Sequence, residues 1–412
     1  MSATLLYADS RGEIYDAPGW QALGRSGTEM APLQAVDLIP LPEGAELMLL
    51  PGRDPVGIAP GKAARLPAGA QAVAAMLPVG YTRTHLPAYR RRPEAPLLPL
   101  YGYTAAALYK DQVCVAALKT ADNEKWHPYR YNTPDLRRKV ARVKKDLPGN
   151  SIVEQLARCS LTWHCCTAQN LFYQRWEAGI PVSPTCNAHC LGCISLQPAE
   201  CCPAPQSRIT VAPNAAEIAA VACYHLDRAP EGIVSFGQGC EGEPSLAAKA
   251  VTVAIRDVRA RTRRGQININ TNAGYTDGIR EIVDAGLDSM RVSMISARPD
   301  VHQAYYRGNY SLEQVRDSIR YARQKKVHVS INMLLFPGLN DRREEQEAWL
   351  EWIRETGVDM IQLRNLNYDP DEFVAAMPAG GSAGGVSAFL QQLQSAVPEL
   401  VLGNFTQYLP QK

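Results

Sequence analysis

The sequence predicts an α/β chain: a parallel sheet or barrel of repeated βα units, preceded by a β-rich region and a helical connector. Two observations carry this. Short β-branched runs at 180–183, 232–236, 266–271, 288–294, 327–334 and 358–364 alternate with amphipathic segments near 214–228, 244–262, 275–286, 311–325 and 342–356. Strands separated by helices of that length need crossover connections and therefore pair in parallel. Before residue 120 the pattern differs: short apolar runs are broken by Pro and Gly, which reads as β-structure with tight turns.

Taken in order, residues 1–120 form the β-rich domain, with strand candidates at Leu47–Leu50, Ala72–Leu77, Ala105–Tyr109 and Val113–Leu118, the last two joined by a Lys110-Asp111 turn. Residues 121–178 form the connector. Thr133 can cap a helix over 133–147 with Pro134 in its first turn, and Leu136, Val140, Val143 and Leu147 share one face. Ser151 and Glu154 have capping-box spacing for a second helix. A third runs from about Thr167 to Ala178 and stops at Gly179. Residues 179–370 carry the βα series. Residues 371–412 hold a glycine-rich loop, Met377 to Gly385, and a last helix near 386–397.

At 412 residues and 46% hydrophobic, the chain is long enough for two cores. A net charge of +2 excludes a strongly cationic nucleic-acid binder by bulk charge. No apolar run approaches the ~20 residues that span a bilayer, so no membrane partner is expected. The start, Met1-Ser2-Ala3-Thr4, lacks a charged segment followed by an apolar core. Eleven cysteines without an export signal point to reduced thiols and metal ligation in the cytoplasm.

The chemistry centres on Cys186-Asn187-Ala188-His189-Cys190-Leu191-Gly192-Cys193. Three thiolates at C-x3-C-x2-C spacing can hold three irons of a cubane and leave the fourth open to a small molecule. In a parallel sheet, ligands gather at the carboxyl ends of the strands. The cysteine loop follows the first strand. The second ends in Gly239-Cys240-Glu241-Gly242-Glu243-Pro244, where glycines allow close approach and Glu243 can accept hydrogen bonds from an ammonium group. Thr271-Asn272, Ser293 and Asn332 are polar residues at the same end, as are Arg364, Asn365 and Asn367.

On these residues the segment from about 180 to 370 resembles the radical SAM enzymes. Cys186, Cys190 and Cys193 match the cluster motif. Gly242-Glu243-Pro244 matches the end of the family's Gly-Gly-Glu-Pro motif, and Pro337-Gly338-Leu339-Asn340-Asp341 resembles its turn after the fifth strand. The resemblance implies a partial (β/α)6 barrel, a [4Fe-4S] cluster on the three cysteines, and S-adenosylmethionine (SAM) contacted by Gly242, Glu243, Pro244, Thr271, Asn272, Ser293 and Asn332. It implies reductive SAM cleavage to a 5′-deoxyadenosyl radical, which takes a hydrogen atom from a substrate. It also implies an electron donor such as a flavodoxin or ferredoxin. Two residues depart from the family. Gly192 stands where an aromatic usually packs near adenine, leaving Leu191 or Ile194 for that task, and Glu241 replaces a motif glycine.

The remaining features stay open. Cys159, Cys165, Cys166, Cys201 and Cys202 flank the loop and could hold an auxiliary iron–sulfur cluster or be ordinary thiols. Cys240 is a candidate hydrogen donor or a packing residue. His189 could complete a zinc site, which would make the chain a zinc-binding interaction module. Arg364, Asn365 and Asn367 are substrate-binding candidates at the barrel mouth, and Tyr305, Tyr306 and Arg307 could line it. The basic face at 137–145, with Arg90 to Arg92 and Arg261 to Arg264, is a solvated surface or meets RNA or an acidic peptide. The expected substrate is a peptide or protein side chain presented or covered by the N-terminal domain, with tRNA or a small metabolite as alternatives.

Overall fold

The computed structural model describes residues 2–59, 61–66, 69–122, 124–197 and 204–409. Its core is a seven-stranded sheet in sequential order: Glu177–Gly179, Ile233–Phe236, Gln266–Thr271, Ser289–Met294, His328–Leu335, Met360–Asn365 and Val401–Gly403. Every adjacent pair is parallel. The second and third strands are buried along their whole length, as expected where helices cover the outer face. Those helices include Ala215–Arg228, Ala248–Arg261, Thr276–Asp284, Leu312–Gln324 and Arg343–Thr356. Val221, Val251, Ile279, Val315 and Trp349 are among their residues in one continuous apolar core.

Several boundaries differ from the sequence expectation, each for a local reason. The first strand is Glu177–Gly179, not 180–183: Ile180 makes one more ladder bond, to the Ser235 carbonyl (2.9 Å), and Pro181 then has no N–H to continue it. The third connector helix is Cys166–Tyr173, ending at Gln174 in a left-handed conformation. Asp135 rather than Thr133 precedes the helix Leu136–Asp146, with the Thr133 hydroxyl donating to Asp135 (2.7 Å). Asn150 rather than Ser151 caps Ser151–Thr162, its side chain accepting from the Ile152 and Val153 amides. The short helices Pro299–Tyr306 and Pro370–Ala376 and the seventh strand are additions to the expected series.

Residues 4–119 form an antiparallel network of thirteen strands among the described residues. The Lys110-Asp111 turn joins Tyr103–Tyr109 to Gln112–Lys119, with both turn residues at positive φ, as a tight hairpin requires. This network docks against the sixth strand and the helix Pro370–Ala376 beyond it. Arg53 and Asp369, both fully buried, pair at 2.7 Å. Arg25 pairs with Asp371 and Arg91 with Glu372, each at 2.6 Å. The Arg83 guanidinium donates to the carbonyls of Tyr103, Leu335 and Leu366, bridging both parts. No described helix is long and apolar enough to cross a membrane.

Candidate functional site

The carboxyl ends of the parallel strands open into a cavity of about 520 Å³. Cys186, Cys190, Cys193, Gly242, Glu243, Thr271, Asn272, Ser293, Asn332, Arg364, Asn365 and Asn367 all line it. Pro244 and Cys240 do not. Pro244 opens the short 3-10 turn Pro244–Ala247. Cys240 is buried, and the neighbouring Cys159 thiol and desolvation push its own thiol well above the ordinary range.

The cysteine loop is stitched to the loop after the second strand. The Gly242 amide donates to the Ser183 carbonyl (2.7 Å) and the Glu243 amide to Thr185 (2.8 Å). A Cβ on Gly242 would lie 2.0 Å from the Thr185 oxygen, so only glycine allows this approach. Glu241 locks the same junction from beneath. Its Oε2 accepts from the Val182 and Ser183 amides (2.7 and 3.0 Å) and its Oε1 from Gly237 (2.5 Å). Burial pushes this carboxyl up to about 8, against the three amides that favour its anion. The motif's missing glycine is therefore a staple.

Glu243 is held in turn. Its Oε1 accepts from the Ser245 amide (3.0 Å) and the Thr271 hydroxyl (2.5 Å), its Oε2 from the Asn272 amide (2.8 Å). Oε2 keeps one acceptor position for a ligand. Thr271 also accepts from the Ala273 amide, and Asn272 donates to Asn187 and accepts from Gly274. These two expected SAM contacts thus position Glu243 and the cysteine loop. Asn332 differs: its Oδ1 is buried without a partner at the cavity wall.

Gly192 is explained by what stands opposite. A Cβ there would meet the Tyr305 hydroxyl at 3.0 Å and the Asn367 carbonyl at 3.3 Å. Tyr305 and Tyr306, on the helix Pro299–Tyr306, line the cavity, and their carbonyls accept from the Leu191 and His189 amides. A tyrosine from outside the loop thus stands against the backbone of residue 192, where a side chain would have pointed. Ile194 lines the cavity whereas Leu191 does not; Arg307 and His189 are exposed.

Sequence reasoning missed three contributors. Arg208 donates to the Ser195 hydroxyl (3.1 Å) and to Cys193 Sγ (3.6 Å). Leu77, Pro78, Val79 and Tyr81, from the N-terminal network, form an outer wall. Arg291, on the fourth strand, lies deeper. None of them has a motif; each is brought in by tertiary folding. Asn365 is diverted, its amide clasping the Arg83 amide and the Tyr81 carbonyl (2.9 and 3.0 Å), so it anchors that wall.

Among the described residues no three His, Cys, Asp or Glu side chains converge tightly enough for one metal ion. The three thiols share one cavity, and burial and mutual charge raise Cys186 and Cys190 above the ordinary thiol range. Such thiols ionise when a metal replaces the proton. With Glu243's open acceptor and the orphaned Asn332 oxygen on the same cavity, the residues fit a cluster and a polar ligand. Of the flanking cysteines, Cys159 and Cys165 are within mutual electrostatic reach, Cys166 is half-buried, and Cys201 and Cys202 lie outside the described residues. Much of the basic surface is ion-paired: Arg92 with Asp54, Lys144 with Glu154 and Arg261 with Asp257.

Comparison with known proteins gives this geometry a family. The sequence pattern of the radical SAM superfamily matches residues 180–353. GTP 3′,8-cyclase of Streptomyces coelicolor is 31% identical over 130 residues, 31% of this chain; the match spans 37% of that relative's length. A radical SAM methyltransferase from Sphaerobacter thermophilus aligns over 57% of this chain and 67% of its own, at 16% identity and a TM-score of 0.41. Streptococcus suis SuiB bound to precursor peptide SuiA aligns over 61% and 52%, at 13% identity and a TM-score of 0.38. The matched segment runs from the entry to the cysteine loop to the helix behind the fifth strand, and it is this segment that carries the radical SAM superfamily pattern.

Proposed function

We propose that this radical SAM enzyme holds its cluster on Cys186, Cys190 and Cys193 and abstracts a hydrogen atom from a peptide or protein side chain. The family uses a [4Fe-4S] cluster and SAM and needs a reductant. When bound, this pair supplies a primary carbon radical by reductive cleavage of the sulfonium. The observation that carries the site assignment is the meeting of all three cysteines, Glu243 and the partnerless Asn332 oxygen on one cavity.

The chain's own groups divide the remaining work. Glu243 Oε2 offers an acceptor to the SAM ammonium, held by Thr271 and the Asn272 amide. Glu241 and Gly242 fix the loop that carries the thiolates. Tyr305 and Tyr306 close the cluster side against water. The wall at 77–81 covers the outer side, and Val79 there is 41% exposed, an apolar surface that suits a peptide better than a free polar metabolite.

Anaerobic reconstitution tests this. The chain should bind about four irons and release 5′-deoxyadenosine from SAM on reduction. Replacing the three cysteines with Ala should abolish both. A colourless zinc protein that leaves SAM intact would refute the site assignment. A tRNA or small-molecule substrate would show as deoxyadenosine formation stimulated by that substrate and not by peptides.

A further inference from the structure

We propose that Arg364 makes the sixth-strand side of the cavity an oxyanion site that takes a carboxylate or phosphate group of the substrate. This deepens the functional reading above and rests on it.

The barrel interior is polar, and most of its groups answer one another. Ser235 donates to Glu177 (2.6 Å), Asn268 bridges Ser235 and Ser289, and Asn270 donates to the Phe236 carbonyl. Arg291 is compensated inside this layer: it donates to Gln362 (3.1 Å) and Thr406 (2.9 Å) and pairs with Glu177 at 3.4 Å. One guanidinium and one carboxylate therefore cancel.

Arg364 breaks the pattern. It lies two residues beyond Gln362 on the sixth strand, so both side chains face the same side of the sheet. It lines the cavity beside Arg291, yet among the described residues no hydrogen bond or ion pair reaches its guanidinium. Desolvation, then Arg291, lowers its pKa to about 10 against the pull of Glu177, whose carboxylate already pairs with Arg291, and this leaves Arg364 charged at neutral pH. A second cation held close to a neutralised pair, in a desolvated cavity, is an arrangement that an incoming anion stabilises. The planar fork of arginine matches a carboxylate or phosphate in bidentate fashion. Ser293, whose hydroxyl makes no bond among the described residues, lines the same cavity and adds a donor. The cysteine loop follows the first strand and Arg364 stands on the sixth, so an anion here orients a substrate between them.

The test is equilibrium binding of pyrophosphate and of succinate, by calorimetry, to the full chain with its cluster reconstituted, with and without saturating SAM, and to the iron-free chain. We expect one probe to bind and to stay bound when SAM is present. Arg364→Gln should weaken it by roughly 10-fold or more, the loss of a charged hydrogen-bonding partner. Arg364→Lys should retain part of the affinity, since it keeps the charge without the fork. Equal binding by Arg364→Gln, no binding of either probe to a folded chain, or displacement of the probe by SAM would overturn the proposal, the last by assigning Arg364 to SAM's own carboxylate. A chain that takes up neither iron nor SAM would refute the functional reading instead, and the iron-free arm would still read Arg364.

Discussion

Glu241→Gln probes how the cysteine loop is held. The carboxylate accepts three buried amides on two oxygens. Glutamine has one acceptor oxygen, so if Val182 and Ser183 keep it, the Gly237 amide faces an NH2 group. One buried donor without a partner costs about 1–3 kcal/mol. The pH dependence runs the other way. The folded-state value, about 8, lies above the ordinary 4.5. The stabilisation from the bound proton is thus complete below 4.5 and is lost as pH rises through 8. At about 1.36 kcal/mol per pH unit, the span is worth about 5 kcal/mol. The variant lacks this titration. Urea unfolding of the iron-free chain under reducing conditions should find it less stable than the parent at pH 5. At that slope a gap of about 1–3 kcal/mol should close between about pH 6 and pH 7, and the variant should be the more stable protein at pH 9. Glu243, Asp341 and Glu345 are also raised, but both proteins carry them and they cancel in the difference. A gap of constant size at pH 5, 7 and 9 would refute this account of Glu241.

Three further outcomes are expected. Gly242→Ala forces a Cβ to within 2.0 Å of the Thr185 oxygen; iron bound after reconstitution should fall well below the parent's in a chain with an unchanged circular dichroism spectrum, and full iron would contradict the close approach. Asp369→Asn strands the buried Arg53 charge and should cost about 3–5 kcal/mol in urea unfolding, and adding Arg53→Met should recover part of it, since asparagine keeps an acceptor for the Leu98 or Asp371 amide; additive losses would argue against the pair. Arg208→Gln removes a positive donor from Cys193 Sγ and should make the cluster's midpoint potential more negative in an EPR-monitored titration, since hydrogen bonds to cluster sulfurs favour the reduced form; an unmoved potential would leave Arg208 a structural role only.

The sequence was informative where chemistry or periodicity is local. Cys186, Cys190 and Cys193 sit on one loop, and their spacing announces what they do. The βα alternation was readable because strands such as Gln266–Thr271 carry β-branched residues at every second position, Ile267, Ile269 and Thr271. What stayed hidden depends on distant partners. Nothing around residue 192 shows that Tyr305 fills the space a side chain there would take. Thr271 reads as a ligand contact until its hydroxyl is found holding Glu243. Asn365 reads as a mouth residue, yet a segment more than 280 positions earlier claims its amide. The short helix Pro370–Ala376 spans seven residues, too few for an apolar period to stand out.

The clasp between the antiparallel network and the barrel has a consequence for the order of synthesis. Arg25, Arg53 and Arg91 leave the ribosome early, whereas their acidic partners at 369–372 emerge some 280 to 350 residues later. Until then Arg53 has the Pro51 and Pro96 carbonyls and the face of the Tyr89 ring for company, and no acidic partner among the described residues. The network can fold as a unit while its docking face waits exposed. The cavity, which both parts line, is thus complete only after the sixth strand and the acidic segment behind it have been made and the network has docked on them.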